Sequence, residues 1–525
     1  MQKELIKLKE YFDNIFTGID DNVSLDEQQR LTIINDSKYT MIVAGAGSGK
    51  TTTMAAKVKY LVEIKKINPK DIVMISFTNK AVDELKQRIQ KDFKINCLIC
   101  TFHKFGLILL NDKKLKIISD AYDIVLEFFE KELCFNNKIL KKYINYFTNF
   151  FKIPKMVFLF HNLNDYYNIK NKLYKLINIK IEKKDIYYKQ FILFCLQFIQ
   201  KIKIKNYIIN DVVTSNKKEK FFIDFINRLF NYYQNKLKEN NMVDFDDIIL
   251  KATKEINNKQ LSYKYIIVDE YQDISKQRFE FIKKISDISN SKIIVVGDDW
   301  QTIYSFSGSE ISLFLDFKKL VGQASLLKIT NTYRNSQELI NIAGNFVMKN
   351  KEQITKQLIS SKSLNQPITI SLYKNDKINK LYLCLKDIIN KYGCNQSILL
   401  LGRYAFDINT YLGTIFYKKD NYVYCKKISN LKMVFLTVHS AKGLGFDQVI
   451  ILNVNNEVYG FPSKVINDKL INLIDNNTNY ILEERRLFYV ALTRTKNKVY
   501  ILSNKQKISP FVLELIKNNN VEVKK

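Results

Sequence analysis

Chemistry is concentrated first in the stretch Thr40-Met-Ile-Val-Ala-Gly-Ala-Gly-Ser-Gly-Lys-Thr-Thr-Thr-Met54, which holds three of only fifteen glycines in the chain. An apolar run (Met41, Ile42, Val43) reads as a short buried strand, and the residues after Lys50 read as a helix. Strand, glycine loop, helix is the arrangement a phosphate-binding loop needs. Glycine lets backbone N–H groups crowd round a phosphate, and the helix N-terminus adds partial positive charge. The cradle would be Ala44, Gly45, Ala46, Gly47, Ser48, Gly49 and Thr52, with Lys50 reaching the β- and γ-phosphates and Thr51 holding Mg²⁺. The strict pattern has glycine six residues before the lysine, and this chain has Ala44 there.

A second concentration follows an apolar run in Tyr263-Lys-Tyr-Ile-Ile-Val-Asp-Glu-Tyr-Gln-Asp273. Asp269 would hold Mg²⁺, and Glu270 would orient and deprotonate an attacking water. Gln301 lies past the end of another strand, Lys292–Val296, where it could sense a γ-phosphate. Tyr304 and Phe306 are loop aromatics that could stack on bases or pack in a core. Gln29 offers a donor and an acceptor together, as an adenine edge requires.

These residues need elements to position them. Strands at 71–76 and 97–102 alternate with helices, which indicates an α/β fold with a parallel sheet covered on both faces. Ligands to such sheets gather at the carboxyl ends of the strands, where Phe77, Thr78, Asn79, Lys80 and His103 fall. Residues 111–240 lose nearly all glycine and strand signals, and their apolar spacing is helical. Their lysines interleave with aromatics, a pattern that suits either nucleic acid or a solvated face.

Eighty-three Lys and Arg against 53 Asp and Glu give a net charge of +30, which points to a polyanionic partner, nucleic acid first. Abundant Lys, Asn, Ile, Tyr and Phe is also what A/T-rich codons favour, so charge carries only part of that weight. A 46% apolar composition excludes global disorder. Cys97 and Cys100 form a C-x-x-C near His103, but no second pair has zinc spacing. Seven unframed cysteines, a charged N-terminus and no long apolar run give the expectation of a cytoplasmic protein without membrane contact.

Taken together, Ala44–Thr52, Ser76–Glu84, Thr101–His103, Val268–Asp273 and Gly297–Gly308 resemble motifs I, Ia, Ib, II and III of superfamily 1 DNA helicases. The branch is that of UvrD, Rep and helicase IV, and the wording Gly297-Asp-Asp-Trp-Gln301 is nearest to helicase IV. Val243–Asp247 resembles a further family motif. Asn331–Arg334, Ile398–Arg403, Thr437–Leu444 and Glu483–Arg494 resemble motifs IV, IVa, V and VI, in the family's order. The resemblance implies two RecA-like domains facing each other across one ATP. The first would be residues 1–110 with 241–312, interrupted by a helical insertion at 111–240, and the second 313–525.

It also implies an ATP- and Mg²⁺-dependent 3′-to-5′ DNA helicase acting on single-stranded DNA and single-strand/duplex junctions. The rival is a single-strand translocase without robust unwinding. Arg334 and Arg494 would be arginine fingers, and Gln29 and Tyr333 would hold the adenine. Phe77, Thr78, Asn79, Lys80, His103, Tyr304, Phe306, Arg403, His439 and Ser440 would contact DNA. Two departures stand out. The gap between motifs IVa and V runs only from about 405 to 433, too short for the large helical subdomain of UvrD and Rep. Gly445 replaces a glutamate that reaches the nucleotide sugar in UvrD.

Overall fold

The computed structural model describes residues 2–21, 23–112, 114–135, 182–212, 214–428, 431–465, 470–474, 480–518 and 521–524. The expected helical insertion therefore lies partly outside the described residues.

Two sheets organise the chain. The first has six parallel strands in the order Leu98–Thr101, Ile72–Ser76, Tyr265–Val268, Lys292–Gly297, Tyr39–Ala44 and Ser325–Ile329. Its central strands are continuous apolar runs because helices cover both faces. The alternation within them is visible in the cores. Ile42, Met74, Ile267 and Ile294 pack on one face, and Met41, Val43, Ile75 and Val295 on the other.

Strand Ser325–Ile329 pairs in parallel with Tyr39–Ala44, so the first sheet takes a strand from beyond the expected boundary at 312. It is an edge strand with Leu326 exposed, and half-exposed edges leave no continuous apolar run to read.

The second sheet has eight strands, in the order Phe416–Lys419, Tyr422–Cys425, Lys432–Thr437, Ile398–Gly402, Phe446–Ile451, Thr495–Asn504, Ile368–Tyr373 and Glu522–Lys524. The first two form an antiparallel hairpin added to a parallel array. That hairpin lies within the short 405–433 gap.

Between the two halves of the first lobe, helices Tyr122–Phe135, Glu182–Ile204 and Lys217–Glu239 share a core built from Val125, Phe198, Phe222 and Ile226. Leu470, Ile471 and Ile474 of the second lobe join this core. Among the described residues, no helix is long and apolar enough to cross a membrane.

Candidate nucleotide and nucleic-acid site

The glycine loop closes at the carboxyl end of Tyr39–Ala44, and helix Lys50–Glu63 starts directly from Gly49. Gly47 and Gly49 have φ of 72° and 75°, backbone that favours glycine. A Cβ on Gly47 would lie 2.5 Å from Cβ of Arg334. The close approach is fixed by two bonds from the far segment: Thr332 Oγ1 donates to Ala46 O (2.7 Å) and Tyr333 N to Gly47 O (3.0 Å). Lys50 Nζ makes only long bonds to the carbonyls of Ala44 (3.4 Å) and Gly45 (3.3 Å).

A cavity of about 560 Å³ opens here, walled by Ala46–Thr52, Asp269, Glu270, Gln301, Arg334 and Arg494. That is within the ~300–1,000 Å³ of small-molecule sites. Its charges are arranged in two layers. Burial and the neighbouring Glu270 raise the Asp269 carboxyl to about 7, against the pull of Lys50. Burial would raise Glu270 as well, but Lys50 and Lys442 hold it below its ordinary value. Glu270 sits at φ 53°, a conformation that costs a non-glycine residue about 1–3 kcal/mol and recurs at working sites.

Opposite stand two arginines. Arg494 is fully buried, and burial together with the Arg334 charge lowers it to about 9. Arg334 lines the cavity and makes no ion pair among the described residues. Two guanidinium groups and an ammonium converging on one space fit a polyphosphate. The Thr51 hydroxyl and the Asp269 carboxylate are hard oxygen donors of the kind Mg²⁺ takes.

Gln301 joins the lobes. Its Nε2 donates to Asp298 Oδ2 (2.6 Å), and its Oε1 accepts from Arg494 Nη2 (3.0 Å). Lys442 from the second lobe donates to Gln301 O (2.8 Å) and to Asp273, and stands 3.9 Å from Glu270.

Gln29 is placed differently from expectation. It is only 2% exposed; its Oε1 accepts from Asp26 N (3.0 Å) and its Nε2 donates to Ser48 O (3.1 Å). A capping box with Asp26 holds it there, so its amide braces the glycine loop. Tyr333 remains half-exposed at the cavity edge, its hydroxyl on Asp26 Oδ2 (2.9 Å).

Beside the cavity lies an aromatic cluster from both lobes. The Tyr304 hydroxyl donates to His439 O (2.9 Å), and the Phe306 ring meets His439 edge-on at 5.4 Å. Phe306 is 58% exposed. Ser440 is exposed nearby, sharing a hydrogen bond with Thr437 (2.9 Å).

Six other expected DNA residues lie outside this cluster. Phe77, Thr78 and Lys80 line the nucleotide cavity, with Thr78 capping helix Asn79–Lys86, whose first residue Asn79 is exposed. Phe77 packs on Phe102 under Arg278. His103 packs edge-on against Phe245 (5.8 Å), and burial, helped by Arg278, lowers it to about 4. Arg403 makes a forked pair with Glu484 (3.0 and 2.7 Å), so its charge is matched inside the protein. A buried glutamate requires such a partner.

Residues 25–322 match the family model described as the UvrD/REP helicase N-terminal domain. The chain belongs to the UvrD/REP helicase family. The match takes in the glycine loop, Asp269, Glu270, Gln301 and the aromatic loop. DNA helicase IV of Escherichia coli is 26% identical over 524 residues, covering 95% of this chain and 71% of that protein. A probable DNA helicase II homolog of Mycoplasma capricolum is 30% identical over 377 residues, covering 68% of this chain and 46% of the relative. ATP-dependent DNA helicase PcrA of Staphylococcus aureus is 26% identical over 339 residues, covering 62% and 40%. The chain thus spans less than half the length of the last two.

In this UvrD/REP chain, sequence reasoning missed Lys442, Asp26 and the Asp298–Lys356–Asp299 cluster. Lys442 and Asp26 lie inside stretches that carried other candidates, so a cation and a carboxylate were in view without a partner to reveal their use.

Proposed function

We propose that this chain is an ATP-driven motor on single-stranded DNA that separates duplex strands, moving 3′ to 5′ and loading at single-strand/duplex junctions. The observation that carries this reading is the Arg494–Gln301 bond. It joins a nucleotide cavity to a loop that three residues later supplies Tyr304, bonded to His439 across the lobes.

The chain's own residues then have definite tasks. Loop amides and Lys50 hold the phosphates. Thr51 and Asp269 hold Mg²⁺, which neutralises phosphate charge when bound. Glu270, kept ionised by Lys50 and Lys442, accepts the proton of the attacking water. Arg334 and Arg494 stabilise charge on the phosphoryl group, and Tyr333 offers its ring to the adenine. ATP favours lobe closure because the arginines prefer its charge, and hydrolysis removes that preference. Tyr304 and Phe306 on one lobe and His439 and Ser440 on the other then change their grip on the strand.

The test is ATP hydrolysis with and without single-stranded DNA at stated salt. Strong stimulation is expected, and no stimulation would overturn the reading. The small hairpin in the 405–433 gap favours a second reading, translocation with weak unwinding. Strand displacement run beside translocation separates the two.

A further inference from the structure

A second group of aromatic side chains stands on the second lobe, and none of them belongs to the cluster described above. Tyr404 and Phe406 stack 5.1 Å apart with planes 7° from parallel, and Tyr459 meets both edge-on at 5.6 Å. Two segments far apart in sequence build this box: the turn after strand Ile398–Gly402, and the loop that follows strand Phe446–Ile451.

Both segments are held from behind. Tyr404 N donates to Asp407 Oδ2 (2.8 Å), and Asn453 Nδ2 donates to Asp407 Oδ1 (3.1 Å). The Tyr404 hydroxyl shares a hydrogen bond with Ser463 Oγ (2.5 Å). At Gly460 a Cβ would lie 2.0 Å from Asn455 O, so the loop behind Tyr459 is closed tightly. The backbone is fixed while the ring faces stay open: Phe406 is 46% and Tyr459 58% exposed. Core packing does not account for them, since the neighbouring Tyr411 and Phe416 fill that role at 0% exposure. A pair of open aromatic faces on rigid backbone is preorganised to receive a flat apolar ligand.

Its location names the ligand. Ser305, next to Phe306, donates its N–H to Glu483 Oε1 (3.0 Å), the following residue Glu484 accepts from Arg403 Nη2 (2.7 Å), and the Arg403 guanidinium lies 4.8 Å over the Tyr404 ring. One helix, Tyr480–Leu492, thus ties the Phe306 loop to the box through its adjacent glutamates. Arg403 is neutralised by Glu484, which leaves stacking as the box's means of recognition, while the exposed Lys464 stands on the same loop for a phosphate. Every base offers a π-face, so such a platform holds a strand without reading its sequence.

We propose that Phe406 and Tyr459 form a base-stacking subsite on the second lobe for the same single strand that Phe306 contacts. This rests on the motor reading above, and it gives each lobe its own aromatic grip.

The test is photo-crosslinking of the full chain to oligo-dT carrying 5-iodouracil at successive positions, with peptides mapped by mass spectrometry. Crosslinks to Phe306 from one position and to Phe406 or Tyr459 from another are expected. The double substitution Phe406→Ala with Tyr459→Ala should weaken single-strand binding about 10-fold, with an unaltered thermal unfolding midpoint. Crosslinks confined to the Phe306 cluster, with affinity unchanged in the double variant, would overturn the subsite and leave the box to a protein partner. Absence of any crosslink together with unstimulated hydrolysis in the wild type would instead sink the motor reading, and the subsite with it.

Discussion

Lys50, Glu270 and Arg494 face one cavity, and each fails in its own way when removed. Lys50→Ala takes the ammonium from the phosphates, so nucleotide binding and hydrolysis are both lost; a filter-binding assay with labelled ATP checks the first. Glu270→Gln keeps shape and hydrogen bonding but cannot accept a proton. Hydrolysis should fall about 10²–10⁴-fold while ATP is still bound, and wild-type turnover would refute the assignment. Arg494→Ala should lower turnover by ~10³-fold or more, as loss of an arginine finger does. That Lys50 and Glu270 would share a site was legible in the sequence because the glycine loop and the Asp269–Glu270 pair each carry their chemistry in contiguous residues. Gln29 was legible only in part. Its type announced a donor and an acceptor, but not that Asp26 and Ser48 would use both. Lys442 and Lys356 were silent because a lysine's task depends on partners 169 and 58 residues away.

At the scale of elements, the turn Asp298–Gln301 is anchored in the second lobe. Trp300 is 1% exposed and packs in the second-lobe core against Tyr489, with its indole N–H on Ile354 O (3.0 Å). Lys356 is buried between Asp298 and Asp299. Removing that cation strands two buried carboxylates, so Lys356→Ala should cost about 3–5 kcal/mol, read from urea unfolding. His439 supplies a pH signature. Burial, then Arg403 and Lys442, lower it from 6.5 to about 4. The unfolded chain therefore binds more protons between these values, and stability falls as pH drops from 6.5 towards 4. The urea midpoint of wild type should decline over that window, and His439→Gln should decline less. The edge strand Ser325–Ile329 shows why element boundaries were harder to read than element existence. Its pairing with the glycine-loop strand is a tertiary fact that its alternating, half-exposed residues do not announce.

For the whole molecule, a net charge of +30 makes DNA affinity a function of salt. A single strand neutralised at six to ten phosphates should bind roughly 10²–10⁴-fold more weakly at 200 mM than at 50 mM salt; a titration by fluorescence anisotropy measures the slope, and a flat curve would mean that lysine and arginine do little of the binding. The two-sheet plan could be anticipated from alternating strands and helices, whereas the sharing of parts between the sheets could not. That sharing has a consequence for anyone dissecting the chain. A fragment cut after the matched segment at residue 322 would keep the glycine loop but lose its neighbouring strand, and would bare the Trp300 indole to water. Such a piece should aggregate or be digested quickly by protease, whereas the intact chain should melt in one transition, because neither half is an autonomous folding unit.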